Sequence, residues 1–501
     1  MATKSKVSAL LTETIDPVLQ QNMFVPPLLR DFPAALPLMT AINKAHILML
    51  VRQKIITPEV GRALAKGVLQ IEAEGASAFT LDPGREDTYF NYEARLIQLT
   101  GADIGGRVHI ARSRNDLKAT QDRLRGRALL LRILDGALIL RQTVVRQATQ
   151  YRDVVMPGYT HLQPAQPITF GYYLLGIAHA LERDYRRLAE AYPRVNLNAL
   201  GTGALAGTSF PIDRRMTASL LGFDGIVGHA QDTVASRDYL VEILGNTALM
   251  ATTWGRLAQD FYIMTSYEFA TVFLPDRVAA TSSIMPQKKN ITVLETLKGR
   301  VAHLMGAHTT ALAGMKGTTF TLTVDATREA FRWCWDALEE TVQGLAICEL
   351  VVASAEPRRE RMAELVRANY STATDLADAL VRDAGLSFRD AHHVVGAVVR
   401  AAIDRGLPAD RIDAGLVREQ AKALLGRWID LPDTVVAAAV DPIACIEARR
   451  ATGGPSEADM SDMTADLEKV LAADQAELTQ RRKRVDAAAA TLDAQFHALA
   501  G

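Results

Sequence analysis

The chain has 501 residues, 49% of them hydrophobic, and its 56 lysines and arginines nearly cancel 57 aspartates and glutamates, leaving a formal net charge of -1. A chain this long divides into two or three cores, and a charge balance this close to neutral offers no field for nucleic acid or an anionic membrane. Three cysteines, Cys334, Cys348 and Cys445, are far apart and lack metal-ligand spacing, which fits a reducing compartment and buried apolar roles better than disulfides.

The opening stretch MATKSKVSALLTETID has neither an apolar core nor a cleavage site, and no apolar run approaches the roughly 20 uncharged residues of a membrane helix. A cytoplasmic protein is the expectation. Residues 1–112 read as shorter helices broken at Pro17, Pro26, Pro27, Pro33, Pro37 and Pro58, with a loop near Leu81–Glu86. Proline is then absent from Gly84–Met156, Ile212–Leu274 and Gln287–Glu356, windows that admit very long helices. In Leu117–Tyr151 the apolar positions Leu124, Leu129, Ile133, Ala137, Leu140 and Val144 recur at helical spacing. The same pattern runs through Ala165–Tyr192, Ser236–Ala270, Ile291–Met315 and Ala326–Ser354.

Five helices of roughly 25–35 residues, about 40–50 Å each, predict a central bundle over 113–360. Tyr172–Leu181 and Leu345–Val352 are apolar on more than one side, so their second faces are covered by self-association or by a flanking domain. Past Pro357, short helical pieces at Thr372–Arg382 and Asp390–Arg405 mark a small helical domain, and Asp459–Ala500 reads as one or two exposed helices. Strand signals are scarce. The fold class is all-α, divided at 1–112, 113–360 and 361–501.

Four segments carry chemistry-bearing residues outside the helical pattern. In Thr281–Arg300, TSSIMPQKKNITVLETLKGR, a proline-fixed loop holds Ser283 away from helical geometry. Lys288 and Asn290 there lie near a helix start, where charge, amide donors and dipole favour an anion such as a dicarboxylate. Gly106–Asp116, GRVHIARSRND, packs three arginines and an asparagine before the first long helix, again suited to anions. Gly158–Pro167, GYTHLQPAQP, sets Thr160 and His161 in a loop entering the second long helix, where an imidazole titrates near neutral pH. Gly201–Asp213, GTGALAGTSFPID, follows no predicted strand, so close backbone packing or a substrate-side turn fits better than a nucleotide cradle. Taken singly, each segment is also compatible with a surface turn or a structural histidine.

Together, and in this order, the segments resemble the aspartase/fumarase superfamily and, within it, the argininosuccinate lyases. The resemblance rests on SSIMPQKKN, EDTYFNYEARL (Glu86–Leu96), HIARSRND (His109–Asp116), YTHLQPAQP, GALAGTSFPIDR (Gly203–Arg214) and SRDYLVEIL (Ser236–Leu244), and spans roughly Leu81–Gly454.

The resemblance implies a homotetramer with a twenty-helix core, in which three segments from different subunits form each site, and a reaction eliminating fumarate from an N-substituted aspartate. It implies Ser283 as general base, Lys288 and Asn290 on the aci-carboxylate, and His161 with Glu295 as the histidine–carboxylate pair. Ser113, Arg114, Asn115 and Thr160 match carboxylate-binding positions, and Ser282 and Gln287 share the serine loop as substrate-binding positions. Small-molecule partners are implied, fumarate plus an amine or their adduct, and no metal, flavin, nicotinamide or other cofactor.

Departures cluster on the amine side. The usual threonine after the motif histidine is Ile110, the usual Pro-Asp after the loop asparagine is Ile291-Thr292, and MTAINKAH (Met39–His46) replaces the usual N-terminal serine motif. The tyrosine, glutamine and lysine of an argininosuccinate lyase align with Phe320, Asp325 and Arg328. Arginine as leaving group therefore competes with another amine, such as that of an ethylenediamine-disuccinate lyase. A catalytically silent, structural member of the family is the alternative of another class.

Overall fold

The computed structural model describes residues 13–501; residues 1–12, which carry most of the expectation about the opening segment, lie outside them. The N-terminal part is built on α1 (Val25–Arg52), α2 (Pro58–Glu74) and α3 (Thr88–Thr100). The proline reading needs correction here, because α1 runs on through Pro33 and Pro37. Each internal proline costs a helix about 3 kcal/mol. The offsetting force is a buried stripe of Leu28, Phe32, Leu36, Met39 and Ile42 that packs on α2 and α3. Among the described residues, the helical run Pro17–Arg52 is long and apolar enough to cross a membrane by composition, but 67% of its apolar window is buried inside the chain.

The centre is a bundle of α4 (Arg114–Gln150), α5 (Phe170–Val195), α6 (Asp238–Met264), α7 (Thr292–Lys316) and α8 (Cys334–Ser354). Five long helices stand where periodicity predicted them, around a core holding Ile133, Leu134, Phe170, Trp254, Leu297 and Leu345. Three boundaries differ, one of them the end of α6, at Met264 rather than Ala270. Ala165–Thr169 is not helix but the end of a hairpin, β1 (Val155–Thr160) against β2 (Gln163–Thr169), since Pro164 and Pro167 deny the segment helical donors. Helix α8 begins at Cys334 rather than Ala326, after a π-helical turn over Asp325–Glu329.

The outer face of the bundle is apolar in places. Helix α7 buries only Leu294, Leu297, Leu304, Ala307 and Ala311, and Met305 and Leu312 on the same helix stay exposed, as do Leu249 on α6 and Leu350 on α8.

A third core, with Leu380, Val394, Val398, Val417 and Leu431, joins α9 (Ala373–Ala384), α10 (Phe388–Asp404), α11 (Ala414–Leu425) and α12 (Asp433–Val440). The last helix, α13 (Glu457–Ala500), is one 44-residue rod, and the expectation of an exposed tail is corrected by its inner stripe. Leu467, Leu471 and Leu478 join the bundle core, while Leu492 and Phe496 join the N-terminal core. Buried Lys44 fastens the far end, its Nζ 2.7 Å from both Asp493 and Glu72.

Candidate active site

The serine segment is a loop pinched at its base. Strand β3 (Ala280–Thr281) pairs antiparallel with β4 (Lys289–Asn290), projecting residues 282–288. Inside it, Ser282 Oγ accepts from the Met285 amide at 3.0 Å and from that of Ile284 at 3.4 Å, and the Lys288 amide donates to Met285 O at 3.1 Å. Ser282 thus shapes the loop, leaving the Ser283 hydroxyl in solvent. Of the two lysines, Lys289 is anchored, 2.8 Å from Asp276 and 4.4 Å over the Phe273 ring. Lys288 is exposed, beside exposed Gln287. Asn290 Nδ2 donates across the base to Thr281 O at 3.5 Å. Glu295, in the first turn of α7, accepts from Tyr262 Oη at 3.3 Å.

The arginine segment ends in a capped helix. Ser113 caps α4, with Asp116 closing the reciprocal capping box, so its hydroxyl is engaged by the Asn115 amide at 3.3 Å. Asp116, fully buried, accepts from the amides of Ser113 (2.8 Å), Gly201 (2.8 Å) and Gly203 (3.1 Å). The glycine-rich segment is therefore fastened to the arginine segment, with Gly201, Gly203 and Gly207 at φ +88, +61 and +79, conformations that glycine adopts without strain. Asn115 Nδ2 adds a bond to Ala204 O at 2.9 Å.

The three arginines of that segment part ways. Arg107 pairs with Asp103 on the surface. Arg112 is buried, donating to Asn43 Oδ1 at 2.6 Å and Tyr89 Oη at 3.2 Å. Arg114 is held by Glu86 at 3.1 Å and Asp87 at 2.9 Å, with its guanidinium 4.2 Å over the Phe90 ring. Glu86 has φ +65, a conformation unfavourable for a side chain of its size and concentrated at functional sites. Glu86 and Asp87 open the segment EDTYFNYEARL, which sequence reasoning matched to the family without giving either residue a role.

His46, at the end of the altered MTAINKAH segment, is buried and hydrogen-bonded to Ile110 O at 2.9 Å. Burial, and then the Arg112 charge, pull its imidazole well below the usual value. The folded pKa lies below the unfolded one, so the stability its neutral form supplies is intact above about pH 6.5 and is lost as pH falls further. Unfolding free energies from urea titrations, measured downward from about pH 7, should decline by up to about 1.4 kcal/mol per pH unit for this group. His46→Gln should flatten that decline. An unchanged slope in the variant would assign acid sensitivity elsewhere.

The histidine segment is the β1–β2 hairpin rather than a plain loop. His161 and Leu162 form its two-residue tip at φ 54 and 58, the geometry of a type I′ turn that asparagine and glycine ordinarily occupy. Thr160 and His161 are exposed and border a cavity of about 480 Å³ shared with Tyr173 and Asp260, which bond to each other at 2.8 Å.

Among the described residues, no hydrogen bond and no shared cavity joins the three segments within one chain. Among the described residues His161 has no hydrogen bond to Glu295, whose partner is Tyr262. Arg114 and Asn115 border a different cavity, of about 350 Å³, with Lys118 and Arg328. Of the three amine-side positions only Arg328 reaches that cavity, with its Nε 3.0 Å from Glu329. Phe320 stands 64% exposed and Asp325 heads the π-helical turn in solvent. Among the described residues no group of His, Cys, Asp and Glu is arranged to hold a metal ion.

A family model described as lyase matches residues 36–306, and one described as the argininosuccinate lyase C-terminal region matches 370–447. Argininosuccinate lyase 1 of Shouchella clausii is 36% identical over 466 residues, 93% of this chain and 94% of that protein. The chain belongs to the argininosuccinate lyase family. As a member it is a carbon–nitrogen lyase that releases fumarate. The argininosuccinate lyase of Methanocaldococcus jannaschii is 36% identical over 413 residues, covering 82% of this chain and 84% of that one. Among solved structures, EDDS lyase in complex with formate superposes with a TM-score of 0.88 at 33% identity, covering 98% of this chain and 97% of the other. A fumarate lyase from Mesorhizobium sp. BNC1, with a TM-score of 0.69 at 19% identity over 92% of this chain and 99% of that one, shares the all-α fold.

Proposed function

We propose that this lyase cleaves an N-substituted aspartate in sites that three copies of the chain build together, within a homotetramer. The observation that carries the reading is the separation just described. The serine loop, the hairpin tip and the α4 N-terminus each present groups outward, on a bundle whose exposed face includes Met305 and Leu312. Burying that face between copies removes apolar area from water and brings solvent-facing groups together.

In this site Ser283 takes the proton from the carbon beside the distal carboxylate. The electron pair is held in that carboxylate as an aci-carboxylate, then forms the double bond as the carbon–nitrogen bond breaks, and the departing amine takes up a proton. A serine hydroxyl needs a cation and amide donors to act as base. Lys288 supplies the cation and, with Asn290, holds the developing negative charge. Arg114, Asn115 and Thr160 hold the succinyl carboxylates, Ser282 and Gln287 set the loop around them, and His161 of another copy, oriented by Glu295, handles the proton. The cytoplasm is the compartment we assign, on three cysteines that are all free and buried.

The test is direct. The purified protein, sized by light scattering, is expected to be a tetramer that releases fumarate from argininosuccinate or forms an adduct of fumarate with an amine, read by mass spectrometry. A monomer that does neither would refute the reading.

A further inference from the structure

We propose that the cavity formed where α13 crosses the N-terminal core is a second ligand site, which takes a small organic anion carrying two or more negative charges, a phosphate ester or a polycarboxylate. None of its walls belongs to the serine loop, the hairpin tip or the α4 N-terminus, so the inference stands apart from the proposed reaction.

Three separate parts of the chain build the rim. Arg52 ends α1, Arg215 lies in the first turn of a short helix over Arg214–Leu220, and Arg484 belongs to α13. Together with Thr491 and Gln495 they border one space of about 980 Å³, at the upper end of small-molecule sites. The floor is the turn Gly222-Phe223-Asp224. Gly222 has φ +70, and a Cβ there would stand 3.2 Å from Ala488 Cβ and 3.4 Å from Val485 Cα. Glycine thus lets α13 pass close over the turn and wall off one side of the space.

The charge around that space is one-sided. Arg52, Arg215 and Arg484 are exposed, and among the described residues their side chains form neither an ion pair nor a hydrogen bond. Beneath the floor, Arg127 of α4 is only 6% exposed and donates to neutral acceptors alone: Asn196 Oδ1 at 2.9 Å, Gly222 O at 2.8 Å and Leu221 O at 3.0 Å. A buried guanidinium without a counter-ion is costly, and desolvation pulls its pKa below the usual value. The single carboxylate on the wall, Asp224, forms an ion pair with none of the four arginines. A bound anion supplies the missing counter-charge, and guanidinium forks match phosphate and carboxylate alike. Because Asp224 repels it, one negative charge gains little and two or more are needed.

Calorimetric titration of the wild-type enzyme at low ionic strength, with fructose 1,6-bisphosphate, citrate and acetate as probes, tests the site. We expect saturable binding of the bisphosphate or of citrate, at least tenfold tighter than that of acetate; the tighter of the two identifies the head group. Arg215→Ala and Arg484→Ala should each weaken that binding about fivefold to tenfold, with the ligand-free thermal midpoint unchanged. Asp224→Asn should strengthen it about twofold or more, a gain that a loss of structure would not produce. Arg114→Gln, at the proposed catalytic site, should leave it in place. Absence of saturable binding, acetate binding as tight as the others, or binding lost in Arg114→Gln and kept in the rim variants would each overturn the proposal.

Discussion

Ser283→Ala is expected to lower kcat by roughly 10²–10⁴-fold, the usual contribution of a positioned acid–base group, with the oligomeric state and thermal midpoint of the wild type retained. The side chain is solvent-exposed on a loop whose internal bonds come from Ser282, Met285 and Lys288, so removing its hydroxyl leaves the fold intact. The same experiment reports on subunit sharing. His161→Asn should be inactive by itself, yet unfolding the two inactive variants together and refolding them should restore activity that neither shows alone. In the proposed shared-site assembly, mixed oligomers contain some sites with an intact Ser283 from one copy and an intact His161 from another. Full activity of Ser283→Ala would reassign the base, and absence of rescue in verified mixed tetramers would place both groups on one chain.

The largest expected loss of stability is at Asp116. Its carboxylate accepts three backbone amides, from Ser113, Gly201 and Gly203, at 2.8–3.1 Å in a fully buried position. Burial pushes its carboxyl above the usual range, against those three amides, which pull it down. Asp116→Ala leaves the amides without acceptors at about 1–3 kcal/mol each, so a loss of about 3 kcal/mol or more in urea unfolding is expected. Asp116→Asn, which keeps one acceptor oxygen, should fall between the alanine variant and wild type. The alanine variant should also bind succinyl groups poorly in the fraction that stays folded, because Asn115 takes its orientation from Ala204, in the loop that Asp116 fastens. A wild-type unfolding midpoint in the alanine variant would mean that this buried junction contributes little.

The departures noted in the sequence acquire physical content in the structure. MTAINKAH supplies Asn43 to Arg112 and His46 to Ile110 O, so that altered segment supports the arginine segment from behind. Phe320, Asp325 and Arg328 fall in the irregular chain ahead of α8 and its π-helical turn, where no period exists to fix the register of one sequence on another.

Periodicity alone located five long helices, because a stripe repeating every 3.6 residues reports which face is buried without reference to what buries it. Residue types and their order likewise exposed the serine loop, the arginine segment and the histidine segment, since charge, hydroxyl and imidazole have few uses in such company. What the sequence left undecided was everything set by distant partners. That α1 runs through Pro33 and Pro37, that His161 tips a hairpin, that Asp116 ties Gly201 to Ser113, and that α13 spans two cores all depend on contacts between residues far apart in the chain. Local propensity is worth about 1 kcal/mol per residue or less outside proline, and tertiary burial and buried hydrogen bonds outweigh it wherever several act on one segment.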